Sequence, residues 1–149
     1  MKTTVENSLT ALAELESLGE RTSKDGSVLP PVKIPAEKQK TNYWIGRLAA
    51  KLKPIRKAYQ DAVDAYIKEN GEPQTINKEV DGRVEKVAVE GGMVLPVEKN
   101  KAFDIAHREI LAQEEEVDIK PLDFELFDGI ELPASFFQNL GEFINEPKN

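Results

Sequence analysis

At 149 residues the chain is long enough to bury one core, and its 40% hydrophobic and 32% charged residues exclude both a disordered chain and a membrane-embedded one. No run approaches the ~18 apolar residues of a transmembrane helix, and the absence of cysteine excludes disulfides, thiol catalysis and thiolate metal sites. The net charge of -7 is unevenly spread, with eight bases against Glu37 between Lys33 and Lys57 and eleven acids against Lys120 between Glu109 and Glu146.

The first stretch, MKTTVENSLTALAELESLGE, carries Glu6, Glu14 and Glu16 and has no continuous apolar core, so it reads as an amphipathic helix and not as a signal peptide. Leu9, Leu12 and Leu15 recur at threes over Ser8 to Leu18, and Gly19 stops the helix. Residues 19–35 form a connection rich in Gly, Ser and Pro, with Val32 and Ile34 as a short extended segment. A long helix is expected from Ala36 to Asn70. Ile45, Leu48, Leu52, Ile55, Tyr59, Ala62 and Tyr66 follow steps of three and four, and so lay one apolar stripe along it, flanked by Trp44 and Val63. Pro54 falls about 120° from that stripe at ~100° per residue, which predicts one kinked helix. The alternative is a break, with Pro54 opening a second helix.

From Thr75 to Leu95 the period changes to two. TINKEV and RVEKVAVE flank Asp81-Gly82, a hairpin signal, and Gly91-Gly92 offers a second turn into Met93-Val94-Leu95. A three-stranded meander is therefore expected at 75–95, packed on the helices or projecting as an arm. Val97 to Glu116 reads as a helix with Phe103, Ala106 and Ile110 on one face. Val117 to Leu126 alternates apolar and acidic residues, which predicts half-buried strands with outward carboxylates. Asp128-Gly129 then turns the chain, and Pro133 suits the first position of a last helix whose Phe136, Phe137, Leu140, Phe143 and Ile144 share a face. The expectation is a single α+β domain over residues 1–149: a long kinked helix packed with shorter helices, a small β-meander and a C-terminal strand-plus-helix.

Few residues offer chemistry. His107 with Glu109 is too little for a metal site, which needs three or four converging ligands, so His107 is expected at a surface or helix edge. Glu114, Glu115, Glu116 and Asp118 point in different directions on a helix and read as its solvated end. No nucleophile elbow, phosphate loop, dinucleotide fingerprint or H-E-x-x-H occurs. No catalytic, cofactor-binding or metal-ligating residue is therefore expected, and the chain is not expected to be an enzyme.

Two charged surfaces remain. Lys38, Lys40, Arg47, Lys51 and Lys57, with Tyr43 and Trp44, form a basic patch with interleaved aromatics. The overall acidity disfavours direct nucleic-acid binding, and opposite blocks in one small chain also attract each other. Asp118, Asp123, Glu125, Asp128 and Glu131 form an acidic face, a candidate partner surface that could imitate a nucleic acid.

The segments KLKPIRKAYQDAVDAYIKENGE, EILAQEEEVDIKPL and DGIELPASFFQNLGEFI resemble a family of small uncharacterised proteins of tailed bacteriophages. The resemblance covers 8–18, 36–71 and 97–144 and lies in the order of elements: short helix, proline-bearing linker, long proline-interrupted helix, helix, strand, short apolar helix. It carries over no catalytic residue. It implies a non-catalytic accessory protein of the host cytoplasm or the virion, binding a phage or host protein or itself. Virion assembly comes first, a host-directed inhibitor such as an anti-defence protein second, and a nucleic-acid-binding accessory protein third.

Overall fold

The computed structural model describes residues 1–19, 21–22, 25–26, 28–29 and 31–146. In chain order the elements are β1 (Lys2–Thr4), α1 (Val5–Glu16), β2 (Arg21–Thr22), β3 (Val28–Leu29), α2 (Gln39–Asn70), β4 (Glu72–Val80), β5 (Arg83–Val94), α3 (Asn100–Leu111), β6 (Glu114–Glu116), β7 (Leu122–Asp123), α4 (Phe136–Leu140) and β8 (Ile144–Asn145). The fold class is α+β. Within the connection expected at 19–35, β2 and β3 pair antiparallel, while Glu20, Ser23, Lys24, Ser27 and Pro30 lie outside the described residues. The chain divides into two compact units, residues 1–57 with 112–149 and residues 58–111.

The first unit holds the core. Thr4 caps α1, its hydroxyl accepting from the Asn7 N–H at 3.1 Å, which satisfies one of the free donors of the first turn. Ala11, Leu12 and Leu15 on the inner face of α1 meet Leu18, Ile45, Leu48 and Leu52, and Val117, Leu122, Phe127, Phe136, Leu140 and Phe143 close the cluster. The helical stripe read from the sequence is therefore buried at Ile45, Leu48 and Leu52. Pro54 sits exposed inside α2 and does not end it. Pro54 and Ala50, whose carbonyl the missing N–H would have bonded, are both exposed, so that carbonyl is open to solvent and the lost bond costs less than it would in the core.

Three expectations for this unit are corrected. The helix expected to run to Glu116 ends at Leu111, and Glu114–Glu116 instead pair antiparallel with Lys2–Thr4. The ladder extends at both ends, from the Val5 N–H to the Gln113 carbonyl and from the Val117 N–H to the Met1 carbonyl. Lys2 stands opposite Glu116, an opposite-charge pairing that suits a strand. Long-range pairing here overrides the helix propensity of glutamate. Second, 117–126 is no alternating strand. Only Leu122–Asp123 pair, in parallel with Ile144–Asn145, and Phe124–Phe127 wind into a 3-10 turn that buries Phe127 and leaves Phe124 and Leu126 half-buried. Third, the last helix is five residues long and begins after Pro133. Phe136, Leu140 and Phe143 are buried while Phe137 is 36% exposed, so the face expected from five residues is divided.

The second unit pairs the C-terminal part of α2 with α3. Tyr66 meets Phe103 at 5.5 Å between ring centroids, and Phe103 stacks on His107 at 5.4 Å. Gly71 ends the helix. A side chain there would press on the Ile67 carbonyl and lie 2.8 Å from that of Val94, so the turn into β4 admits no Cβ. Asp81 and Gly82 both have positive φ, 52° and 77°, as the two-residue turn of a tight hairpin requires. The expected third strand is absent among the described residues. Met93 and Val94 belong to β5, opposite Pro73 and Glu72, and the register breaks between Pro73 and Thr75. Val89 to Gly92 bulge out of the ladder there, with Gly91 at φ 70°, so Gly91-Gly92 re-aims one strand and does not turn the chain into another.

Candidate functional site

The feature of the first unit best suited to hold another molecule is a groove along the start of α2. Lys40, Trp44 and Arg47 stand at steps of four and three and so share one helix face. Opposite them runs the irregular segment between β6 and β7. Two adjoining hollows share Trp44 and Lys120. One, of about 520 Å³, reaches Met1 and residues 116–119. The other, of about 400 Å³, reaches Pro121, Leu122, Asp123, Leu126 and Asn145.

Trp44 is half-buried between them, with Tyr43 edge-on at 5.3 Å. The Arg47 guanidinium lies 5.8 Å from the Trp44 ring centre, and its Nη1 donates to the Tyr43 hydroxyl at 3.3 Å. That is the geometry of a cation held on an aromatic face. On the opposite wall the Asn145 amide donates to Asp123 at 3.1 Å and so orients that carboxylate. Asp118, almost fully exposed, reaches Lys51 at 3.8 Å. The Thr41 hydroxyl donates to the Leu126 carbonyl and ties α2 to the turn behind the groove.

The charged residues singled out in the sequence thus divide. Lys40 and Arg47 from the basic patch meet Asp118 and Asp123 from the acidic face along one groove, and Lys51 joins through its ion pair. Glu125, Asp128 and Glu131 are exposed but do not line it, and neither do Lys38 and Lys57. Arg56, on the same helix, donates to Glu16 at 2.6 Å. Part of the basic helix is therefore engaged by acids of its own chain. Among the described residues no group of three His, Asp or Glu side chains is placed to hold a metal ion, and no helix is long and apolar enough to cross a membrane.

In the second unit His107 is half-buried, its Nε2 2.7 Å from the Tyr59 hydroxyl. Tyr59 and His107 sit 48 positions apart on two helices, and only their tertiary packing brings them together.

Sequence reasoning missed Glu14, which is 8% exposed. The Ser135 hydroxyl and the Asn139 amide each donate to it at 2.9 Å. The signal was available: Glu14 follows Ala11 by three and precedes Leu18 by four, and so stands on the apolar face of α1. Stripping a donor from a buried carboxylate is costly, so Asn139→Ala should destabilise the unit by ~1.5–3 kcal/mol. In a Glu14→Ala background the same change should cost little, because the acceptor is gone. Urea titration of the four proteins measures the coupling, and simply additive costs would show that this carboxylate does not depend on Asn139.

Set beside known proteins, the chain matches no family model, no curated protein and no solved structure.

Proposed function

We propose that this chain is a non-catalytic accessory protein of the tailed-phage type, which works by gripping a protein partner in the Trp44 groove. The observation that carries the reading is the composition of that groove. A half-exposed indole is flanked by Lys40 and Arg47 on its own helix and by Asp118, Lys120 and Asp123 on the opposite wall. Such a lining suits an extended polypeptide, which offers an apolar side chain to the ring and charges of both signs to the walls. It suits a nucleic acid less well, because carboxylates line the same path that phosphates would follow. The resemblance to small phage proteins supplies the setting, the host cytoplasm or the virion, with virion assembly as the leading role.

A host-directed inhibitor is the second reading. Its support is that Asp118, Asp123, Glu125, Asp128 and Glu131 are all exposed within one stretch of the first unit, as a face that occludes a nucleic-acid site needs.

The test is capture from infected cells by the purified wild type, Trp44→Ala and the triple variant Asp123→Asn/Glu125→Gln/Asp128→Asn. Each is first checked for a native circular-dichroism spectrum. Removing an aromatic anchor of this kind should weaken capture about 30-fold, the equivalent of ~2 kcal/mol. Equal capture by Trp44→Ala and wild type would remove the groove from the reading. Virion proteins in the eluate favour assembly. A nucleic-acid-binding host protein, displaced by its own nucleic acid and captured more slowly by the triple variant, favours inhibition.

A further inference from the structure

The β4–β5 ribbon is uncovered on both faces. No residue of 58–111 is buried, and nearly every ribbon residue from Glu72 to Val94 is exposed. Ile76, Val80 and Val87 share one face at 52, 38 and 37% exposure, and Val84 on the other face is 74% exposed. Among the described residues no other strand pairs with either edge. An isolated two-stranded hairpin is marginal in water, and a free edge is a template for another strand. The ribbon carries three bases against five acids, so neither a nucleic acid nor an anionic membrane is its natural cover.

We infer that the β5 edge pairs antiparallel with the β5 edge of a second copy of this chain, centred on Val84, to make a four-stranded sheet across a twofold axis. The ladder sets which groups are available. In a hairpin closed by a two-residue turn, Val80 and Arg83 bond inward, so by alternation the N–H and C=O of Val84, Lys86 and Ala88 point away from β4.

Charge then selects the register. Centred on Val84, each Arg83 lies opposite Glu85 of the second copy, and each Lys86 lies beside the Asp81-Gly82 turn of the other. Glu85 is then flanked by Lys78 of its own hairpin and by Arg83 of the other, a row of alternating sign. Centring on Glu85 or on Lys86 would set like charges face to face. Centring on Ala88 would oppose Lys86 to Glu90, but Glu90 lies in the bulge, out of the ladder. On β4, centring on Lys78 or Glu79 sets like charges together, and centring on Ile76 or Asn77 creates no ion pair. Centring on Thr75 would oppose Glu72 to Lys78, but Glu72 lies beyond the register break between Pro73 and Thr75. A twofold contact of this kind is self-complementary by construction.

The test uses the full chain in sedimentation velocity. Wild type should form dimers, while Arg83→Glu and Glu85→Arg should each lower the association constant by about tenfold or more, because each sets two like-charged pairs across the axis. An equimolar mixture of the two variants should restore dimers, since every pair across the mixed interface is then opposite in sign. Val84→Cys, in a chain that has no other cysteine, should oxidise to a linked dimer, because facing positions about 5.5 Å apart suit a disulfide. A wild-type chain still monomeric at roughly 100 µM would overturn the inference. So would dimers indifferent to both charge reversals, or variants whose mixture stays monomeric.

Discussion

Leu52→Asp should leave the first unit largely unfolded. Leu52 is fully buried in the middle of the core cluster, on the helix that both halves of the unit pack against. Losing its side chain would alone cost ~2–5 kcal/mol, the range for buried leucine truncations. Aspartate adds a carboxylate with no partner in an apolar setting, a further penalty of several kcal/mol. Against a usual total of ~5–15 kcal/mol, most or all of the stability is gone. Leu52→Met, of similar volume, should cost under ~1.5 kcal/mol and serves as the control. Thermal denaturation followed by circular dichroism decides it. Equal melting temperatures for Leu52→Asp and wild type would mean that the long helix does not form this core.

Phe136→Ala should be the next most damaging change. Phe136 is also fully buried, its ring 5.0 Å from Phe127 and 5.2 Å from Phe137, edge to face in both pairs. Truncation should cost ~3–5 kcal/mol, because α4 is too short to close over the cavity. At this chain length that corresponds to a fall of roughly 10–20 °C in melting temperature. Phe137→Ala removes a ring that is 36% exposed and should cost clearly less. The contrast is the informative measurement. The sequence offers the two phenylalanines as equals, and similar losses at both would contradict the burial seen here.

The groove was half legible in the sequence. Lys40, Trp44 and Arg47 could be placed on one face by counting along a helix, since helical geometry is local and repeats every 3.6 residues. Their opposite wall could not. Residues 116–123 reach that position because β6 pairs with the start of the chain and β7 with its end, contacts across more than 100 and about 20 positions. Nothing in the alternation of acids and apolar residues at 117–126 signals those partners. The same pattern that predicted strands is met by a short ladder and a 3-10 turn, because core contacts at Leu122 and Phe127 matter more than a period of two. The pairing of Tyr59 with His107 was hidden for the same reason.

What the sequence determined by itself was local: a first amphipathic helix, read at Ser8 to Leu18 and found three residues earlier at Val5–Glu16, the long helix through Pro54, and the Asp81-Gly82 hairpin. Each depends on side-chain period, turn chemistry or a missing N–H within a few residues. The tertiary structure alone decided that Glu114–Glu116 form a strand, that Gly91-Gly92 bulge, that Glu14 is buried, and that basic and acidic residues line one groove. Those outcomes rest on which distant segments meet. A strand draws its stability from a partner elsewhere in the chain, and a buried carboxylate from donors that only the folded core brings within reach.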